Sequence, residues 1–197
     1  MAHDRLPEIS ATAIVADDHQ LLRDGIKQIL QSVEGITIVA EAQDGLEAIS
    51  LVRRHKPGLL TLDMAMPYAQ GLEIYEEVRR WSPDTCVVVF TGLTSLGLLS
   101  ELITAGVDGL FAKRGDQDKL RESIPVILSG GKVISPEIVA MLEVGTPASS
   151  LTARERQILI LVATGLSNNE IASRLGVSLK TVDNLRTNLM RKLDVHS

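Results

Sequence analysis

The sequence predicts an α/β protein: a five-stranded parallel sheet with helices on both faces, followed by a small all-α domain. Three observations carry this. Five short, continuously apolar runs alternate with five segments of helical spacing, the pattern of parallel strands buried on both sides. The charge changes sign along the chain. Residues 1–147 hold 13 Lys/Arg against 21 Asp/Glu, a net −8, and residues 148–197 hold 7 against 4, a net +3. Between these parts, Gly145-Thr146-Pro147-Ala148-Ser149-Ser150 has the small, polar composition of a linker. The expected division is 10–130 for the α/β domain, 131–148 for a linker with a short helix, and 149–197 for the all-α domain.

Each element has its own signal. The strands are 12–16 (TAIVA), 36–40 (ITIVA), 59–62 (LLTL), 86–90 (CVVVF) and 110–112. Between them, 20–32 repeats Leu22, Ile26, Ile29 and Val33 at three and four residues, and 45–55, 71–81, 95–105 and 116–129 behave likewise. Ser135-Pro136-Glu137 opens a further helix, with Ser as cap and Pro at its first position. Its stripe of Ile138, Met141 and Leu142 is expected to pack on the core. In the second part, Thr152-x-x-Glu155 and Ser167-x-x-Glu170 are capping boxes. The second opens a helix over 168–175 that Gly176 ends. Ser178 caps a third helix, 179–193.

Composition narrows the class. The 197 residues are 45% hydrophobic and 23% charged, which excludes a disordered chain. Only five residues are aromatic, so aliphatic side chains must fill the core. No apolar run reaches the roughly 18 residues of a membrane span, and the first residues lack a signal peptide's apolar block. Cys86 is the only cysteine, which excludes an intramolecular disulfide and a cysteine-rich zinc site. A cytoplasmic protein without membrane contact is expected. The net charge of −5 speaks against nucleic acid only until it is divided, because the second part is basic.

The strand ends concentrate chemistry. Asp17, Asp18, Asp63, Thr91 and Lys113 all follow or end a strand, where open α/β sheets place their ligands. Three carboxylates on one rim repel and raise each other's pKa, which a hard divalent cation relieves; Mg²⁺ takes oxygen ligands and keeps waters. Lys113 suits the charge of a phosphoryl group, and Thr91 can donate to its oxygen. Asp63, on the central strand, is the candidate nucleophile for an aspartyl phosphate. Taken alone, Asp17-Asp18 before a helix reads as a cap and dipole partner. The five residues in this order point instead to a site.

These residues resemble the receiver domains of two-component response regulators, a flavodoxin-like fold. The matching motifs are Val15-Ala16-Asp17-Asp18-His19, Leu62-Asp63-Met64-Ala65-Met66-Pro67 with Gly71, Phe90-Thr91-Gly92, and Ala105-Gly106-Val107-Asp108-Gly109 leading to Lys113. The resemblance covers about residues 10–130. It implies that a sensor histidine kinase phosphorylates Asp63, and that Asp18, Asp63 and the Ala65 carbonyl bind Mg²⁺, with Asp17 acting through water. It further implies that Thr91 and Lys113 contact the phosphoryl group and that the only catalysis is self-phosphorylation and slow autodephosphorylation. One position departs: receivers usually carry Tyr or Phe three residues before the lysine, and here the switch position is Leu110.

The third helix of the second part divides at 100° per residue. Val182, Leu185, Leu189 and Leu193 form its core face, and Lys180, Asn184, Thr187, Asn188 and Arg191 lie opposite, with no carboxylate among them. Amides and cations suit base edges and phosphates. The pattern resembles the helix-turn-helix domain of the LuxR/NarL/FixJ class through Leu151-Thr152-x-Arg154-Glu155, Gly165-Leu166-Ser167-Asn168, Glu170-Ile171-Ala172, and Val177-Ser178-x-x-Thr181-Val182 to Arg191-Lys192-Leu193. It implies binding to double-stranded DNA as a homodimer, with base contacts at Asp183, Asn184 and Thr187. Asp183 replaces a frequent Lys and can accept from cytosine N4. The family's fourth helix, its usual dimer contact, lies beyond Val195-His196-Ser197, so weak, salt-sensitive DNA binding is expected of the sequence as written.

The reading is a phosphorylation-controlled transcription regulator in which the acidic part masks the basic face at rest. The alternatives are a signalling adaptor or phosphorylation-independent regulator with weak or no DNA binding, and a Mg²⁺-dependent phosphatase. The phosphatase would need a second acid two residues after the nucleophile, where this chain has Ala65.

Overall fold

The fold is taken from a computed structural model that describes residues 10–68, 71–92, 96–144 and 153–192, without the side chains of residues 71, 144, 153, 156, 191 and 192. Strands and helices alternate as β1 (Ala11–Ala16), α1 (Gln20–Gln31), β2 (Ile36–Ala42), α2 (Gly45–His55), β3 (Leu59–Asp63), α3 (Gly71–Trp81), β4 (Cys86–Thr91), α4 (Leu96–Ala105), β5 (Gly109–Ala112) and α5 (Gln117–Leu128). Then come β6 (Val133–Ile134), α6 (Pro136–Val144), α7 (Ala153–Ala163), α8 (Asn168–Leu175) and α9 (Leu179–Lys192). The sheet is wholly parallel in the order β2-β1-β3-β4-β5-β6, which puts β3 near its centre.

The sheet has six strands, not the five expected from sequence. Val133 and Ile134 pair with Gly109 and Leu110. A two-residue strand carries no periodicity, and it lies within the segment expected to be a linker. Backbone bonds from Val133 to the Asp108 carbonyl (3.0 Å) and from Ser135 to the Leu110 carbonyl (2.9 Å) hold it.

Strand alternation sorts the core into two layers. Ile14, Ala16, Leu60, Leu62, Val87, Val89 and Leu110 face one side of the sheet, where α2, α3 and α4 cover them. Ala13, Val15, Leu59, Val88, Phe90 and Phe111 face the other, under α1 and α5, and the rings of Phe90 and Phe111 stack at 5.9 Å. Ile138 and Leu142 of α6 are buried in the first layer, as their stripe predicts. That layer continues through Ile158, Leu159, Ile171, Val182 and Leu189, so the C-terminal helices share its apolar core. The join runs through α7, which packs on α4 and α6. Lys132 supports it: Nζ donates to the Gly106 carbonyl (3.0 Å), and its stem passes 3.9 Å from where a Cβ on Gly165 would stand.

In the C-terminal part the Ser167 capping box closes around Glu170, and Gly176 ends α8 in the left-handed region (φ 63°), where glycine has no Cβ to clash. The Ser178 hydroxyl accepts from the Thr181 N–H (3.1 Å) and so caps α9. The Thr152 cap, the 145–150 stretch and Leu193 lie outside the described residues. No described helix is long and apolar enough to cross a membrane.

Candidate functional site

Four adjacent strands end at one rim. Asp63 is the last residue of β3 and Thr91 the last of β4, while Asp17 and Lys113 follow β1 and β5 by one residue. Asp17 is 0% and Asp63 1% exposed, and Thr91 is buried beside them. Lys113 Nζ lies 2.7 Å from Asp63 Oδ2 and 3.0 Å from Asp17 Oδ2. The Lys113 backbone N–H donates to the Thr91 carbonyl (2.9 Å), which ties the ends of β4 and β5 together. The Ala65 N–H donates to Asp63 Oδ1 (3.1 Å) and orients the carboxylate. Burial pushes the Asp63 carboxyl above its ordinary value, against the pull of Lys113 and the Ala65 N–H. For Lys113, burial lowers the value, but the bonds to Asp63 and Asp17 prevail and raise it.

Asp17-Asp18 does not cap the following helix with its side chains. The N-cap of α1 is His19, whose side chain makes no capping bond. Asp17 turns inward, its Oδ1 accepting from the His19 N–H (2.8 Å) and its carbonyl from buried Arg23 (2.7 Å). Asp18 stays at the rim with His19 Nδ1 2.7 Å from its Oδ1. One ligand atom each from Asp17, Asp18, His19 and Asp63 lie within 4.8 Å of one another. Asp17 and Asp63 share the single ammonium of Lys113, and Asp18 adds a third carboxylate at the rim. The residues therefore fit a divalent cation with oxygen ligands. His19 was not among the residues expected; its signal is its place next to the acid pair.

Leu110 is fully buried on the α4 side of β5, whereas Phe111 takes the α5 side. The aromatic of this strand is thus one residue from the expected switch position and on the opposite face.

On α9, Lys180, Thr181, Asp183, Asn184, Thr187 and Asn188 are exposed, while Val182 and Leu189 are buried and Leu185 packs against the core. Arg191 belongs to α9, but its side chain lies outside the description. Two of the exposed hydroxyls have local work: Thr181 Oγ1 lies 2.8 Å from Ser178 Oγ, and Thr187 Oγ1 donates to the Asp183 carbonyl (2.9 Å). The expected masking of this face is not what the structure has. The receiver-side contact goes to α7, because apolar burial against α4 and α6 sets the join, and net charge alone names no docking face. Two residues missed by sequence reasoning lie at the edge of the face: Asn168 donates to Asp183, and Arg186 donates to Asn168. Their contact crosses from α8 to α9, so no spacing within one helix reveals it.

The comparisons with known proteins agree with this geometry. Residues 13–125 match the response regulator receiver domain model, and residues 149–197 match that of bacterial regulatory proteins of the luxR family. The chain is 36% identical over 188 residues to a nitrate/nitrite response regulator protein homolog of Haemophilus influenzae, covering 93% of this chain and 90% of that protein. It is 36% identical over 200 residues to the nitrate/nitrite response regulator protein NarP of Escherichia coli, covering 98% and 93%. Among solved structures, a complex of the two-component response regulator RcsB with DNA matches with a TM-score of 0.66 at 26% identity, covering 96% of this chain and 94% of that one. RcsB from Salmonella enterica serovar Typhimurium, bound to promoter rprA with the phosphomimetic BeF3−, matches with a TM-score of 0.62 at 25% identity, covering 96% and 95%. The chain belongs to the response regulators, with a receiver domain joined to a DNA-binding domain of the LuxR family.

Proposed function

We propose that Asp63 accepts a phosphoryl group from a sensor histidine kinase and that the charge state of this pocket regulates transcription through α9. The observation that carries the reading is Lys113 Nζ spanning the buried carboxylates of Asp63 and Asp17 on a rim that also holds Thr91. An Asp63 carboxylate oxygen attacks phosphorus, the P–N bond to the donor imidazole breaks, and the imidazole leaves with a proton. Lys113 balances charge on the transferring group, and the Thr91 hydroxyl donates to one of its oxygens. Asp18, Asp63 and the Ala65 carbonyl would hold Mg²⁺, with Asp17 through water; when bound, the ion neutralises the crowded anions. Hydrolysis of the acyl phosphate resets the site slowly, and no other turnover is assigned to the chain.

The exposed residues Lys180, Thr181, Asp183, Asn184, Thr187 and Asn188, with Arg191, form the proposed DNA face. A homodimer on double-stranded DNA, active in the cytoplasm, completes the reading. The domain division proposed is 10–130, 131–148 and 149–197. Incubation with a small-molecule phosphoryl donor and Mg²⁺, followed by intact mass, tests the acceptor. The unsubstituted chain is expected to gain one phosphoryl group and Asp63→Asn none. Uptake that survives the substitution would overturn the assignment.

A further inference from the structure

We propose that Asn168 and Arg186 clamp Asp183 into a reader of exocyclic amino groups in the major groove. The site this chain selects would then hold cytosine or adenine, and not guanine or thymine, at the base facing Asp183. The inference rests on the DNA-binding reading above.

Asn168 is the first residue of α8, and Asp183 and Arg186 lie one turn apart on α9. Asn168 Nδ2 donates to Asp183 Oδ1 at 2.7 Å, and Asn168 Oδ1 accepts from Arg186 Nη1. The two neighbours fix the amide's orientation. A carboxylate only accepts and a guanidinium only donates, so a reversed amide would oppose like groups at both contacts. The bridged amide thus links the guanidinium to the carboxylate and holds the Asp183 rotamer before DNA arrives. Thr187 Oγ1 bonds the Asp183 carbonyl one turn on, which keeps the local backbone engaged as well.

With Oδ1 taken by Asn168, Asp183 presents Oδ2 as its acceptor from an exposed position. An ionised carboxylate cannot donate, and phosphate oxygens repel it. In the major groove the base donors are cytosine N4 and adenine N6, while guanine O6 and N7 and thymine O4 are acceptors. An acid held in place gains a bond on an amino base and meets repulsion on a keto base. Free to rotate, it would swing to water and discriminate little. The clamp removes that escape, so selectivity comes from exclusion as much as from attraction. Asn168 and Arg186 are positioning residues in this account, and Asp183 is the reader.

The test uses the full chain and a random-sequence duplex library, with bound fragments sequenced. The unsubstituted chain is expected to enrich sites with one position at which amino bases exceed keto bases. Asp183→Ala should lower that preference roughly tenfold while flanking positions keep theirs. Asn168→Ala, with an unchanged melting temperature, should lower it roughly three- to tenfold at the same position. Enrichment of cytosine alone or of adenine alone supports the proposal and says which amino group is read. Full retention of the preference in Asn168→Ala, or an even loss at every position, overturns it. If Asn168→Ala does not fold, Arg186→Met carries the same test from the other arm. No enrichment by the unsubstituted chain fails the DNA-binding reading itself, and the clamp with it.

Discussion

Substitution of Leu110 measures what this position does in the resting protein. Leu110 is fully buried in β5, its ladder partners are Val89 and Ile134, and its carbonyl accepts from Ser135 at the start of α6. Leu110→Ala removes three carbons, and at about 0.8 kcal/mol per buried methylene the transfer loss is about 2.4 kcal/mol. The cavity left behind brings the expected total to about 3–5 kcal/mol. Leu110→Tyr installs the aromatic common at this position in receivers. The added ring is expected to cost about 1–3 kcal/mol in overpacking, and a buried hydroxyl without a partner about 1–3 kcal/mol more. Urea denaturation followed by circular dichroism reads both from the midpoint, with an unchanged slope showing that the unfolding unit is the same. Both variants should be less stable than the unsubstituted chain. A tyrosine variant of full stability would mean that the first core layer holds room for a ring beside β5. An alanine variant within about 1 kcal/mol would refute the packing argument altogether.

Three further outcomes follow from local geometry. Arg79 donates to Tyr75 Oη (3.0 Å), to the carbonyls of Pro83 (3.0 Å) and Thr85 (2.7 Å), and to Asp108 Oδ2 (2.6 Å), so Arg79→Ala is expected to cost about 2–4 kcal/mol in thermal melts. Arg79→Lys should recover less than half, because an ammonium cannot reproduce the fork; melting equal to the unsubstituted chain would refute that. Ser167→Ala should cost about 1 kcal/mol by uncapping α8, checked by the same melts. Bonds from the Ser167 hydroxyl and then its backbone N–H hold Glu170 below its ordinary value. A lowered folded value gives stability that is present above the ordinary glutamate value and is lost as pH falls through the folded one. Glu170→Gln should therefore flatten part of the acid limb of the melting curve, and an unchanged limb would remove Glu170 from the account.

The sequence exposes strand ends well because both signals are local: a buried parallel strand is a short apolar run, and the first polar residue after it lands on the rim. That is why Asp17, Asp63, Thr91 and Lys113 could be grouped before any fold was known. The helical period likewise places Val182 and Leu189 inside and Asn184 and Thr187 outside. What escapes is whatever depends on where two elements meet. β6 is too short to carry a period, and its existence follows from the turn that returns Val133 alongside Gly109. Arg23 lies outside the apolar spacing of α1, yet it is buried against the Asp17 carbonyl. The open α9 face could not be inferred from a −8 and a +3, because a sum of charges has no direction, whereas the apolar join through α7 does.

Asp183 also sets the affinity that charge alone would give. Each phosphate contact made by a Lys or Arg contributes a slope of about −0.9 in log K against log salt on duplex DNA. Along α8 and α9 the cations are Arg174, Lys180, Arg186, Arg191 and Lys192, and Arg186 is turned toward Asn168. The exposed Asp183 carboxylate opposes them wherever the duplex approaches. Asp183→Asn keeps the side chain's shape and removes the charge. Against unselected duplex it should raise affinity roughly threefold, the effect of one charge some 7 Å from a phosphate in water. Against a duplex carrying the selected amino base it should lower affinity, because the amide presents a donor as well as an acceptor and no longer excludes keto bases. Fluorescence anisotropy across a salt series separates the two, and the gap between the curves should narrow from both sides. A generic surface role would move both curves the same way. A parallel rise on both duplexes would therefore remove Asp183 from base reading, whatever the cations do.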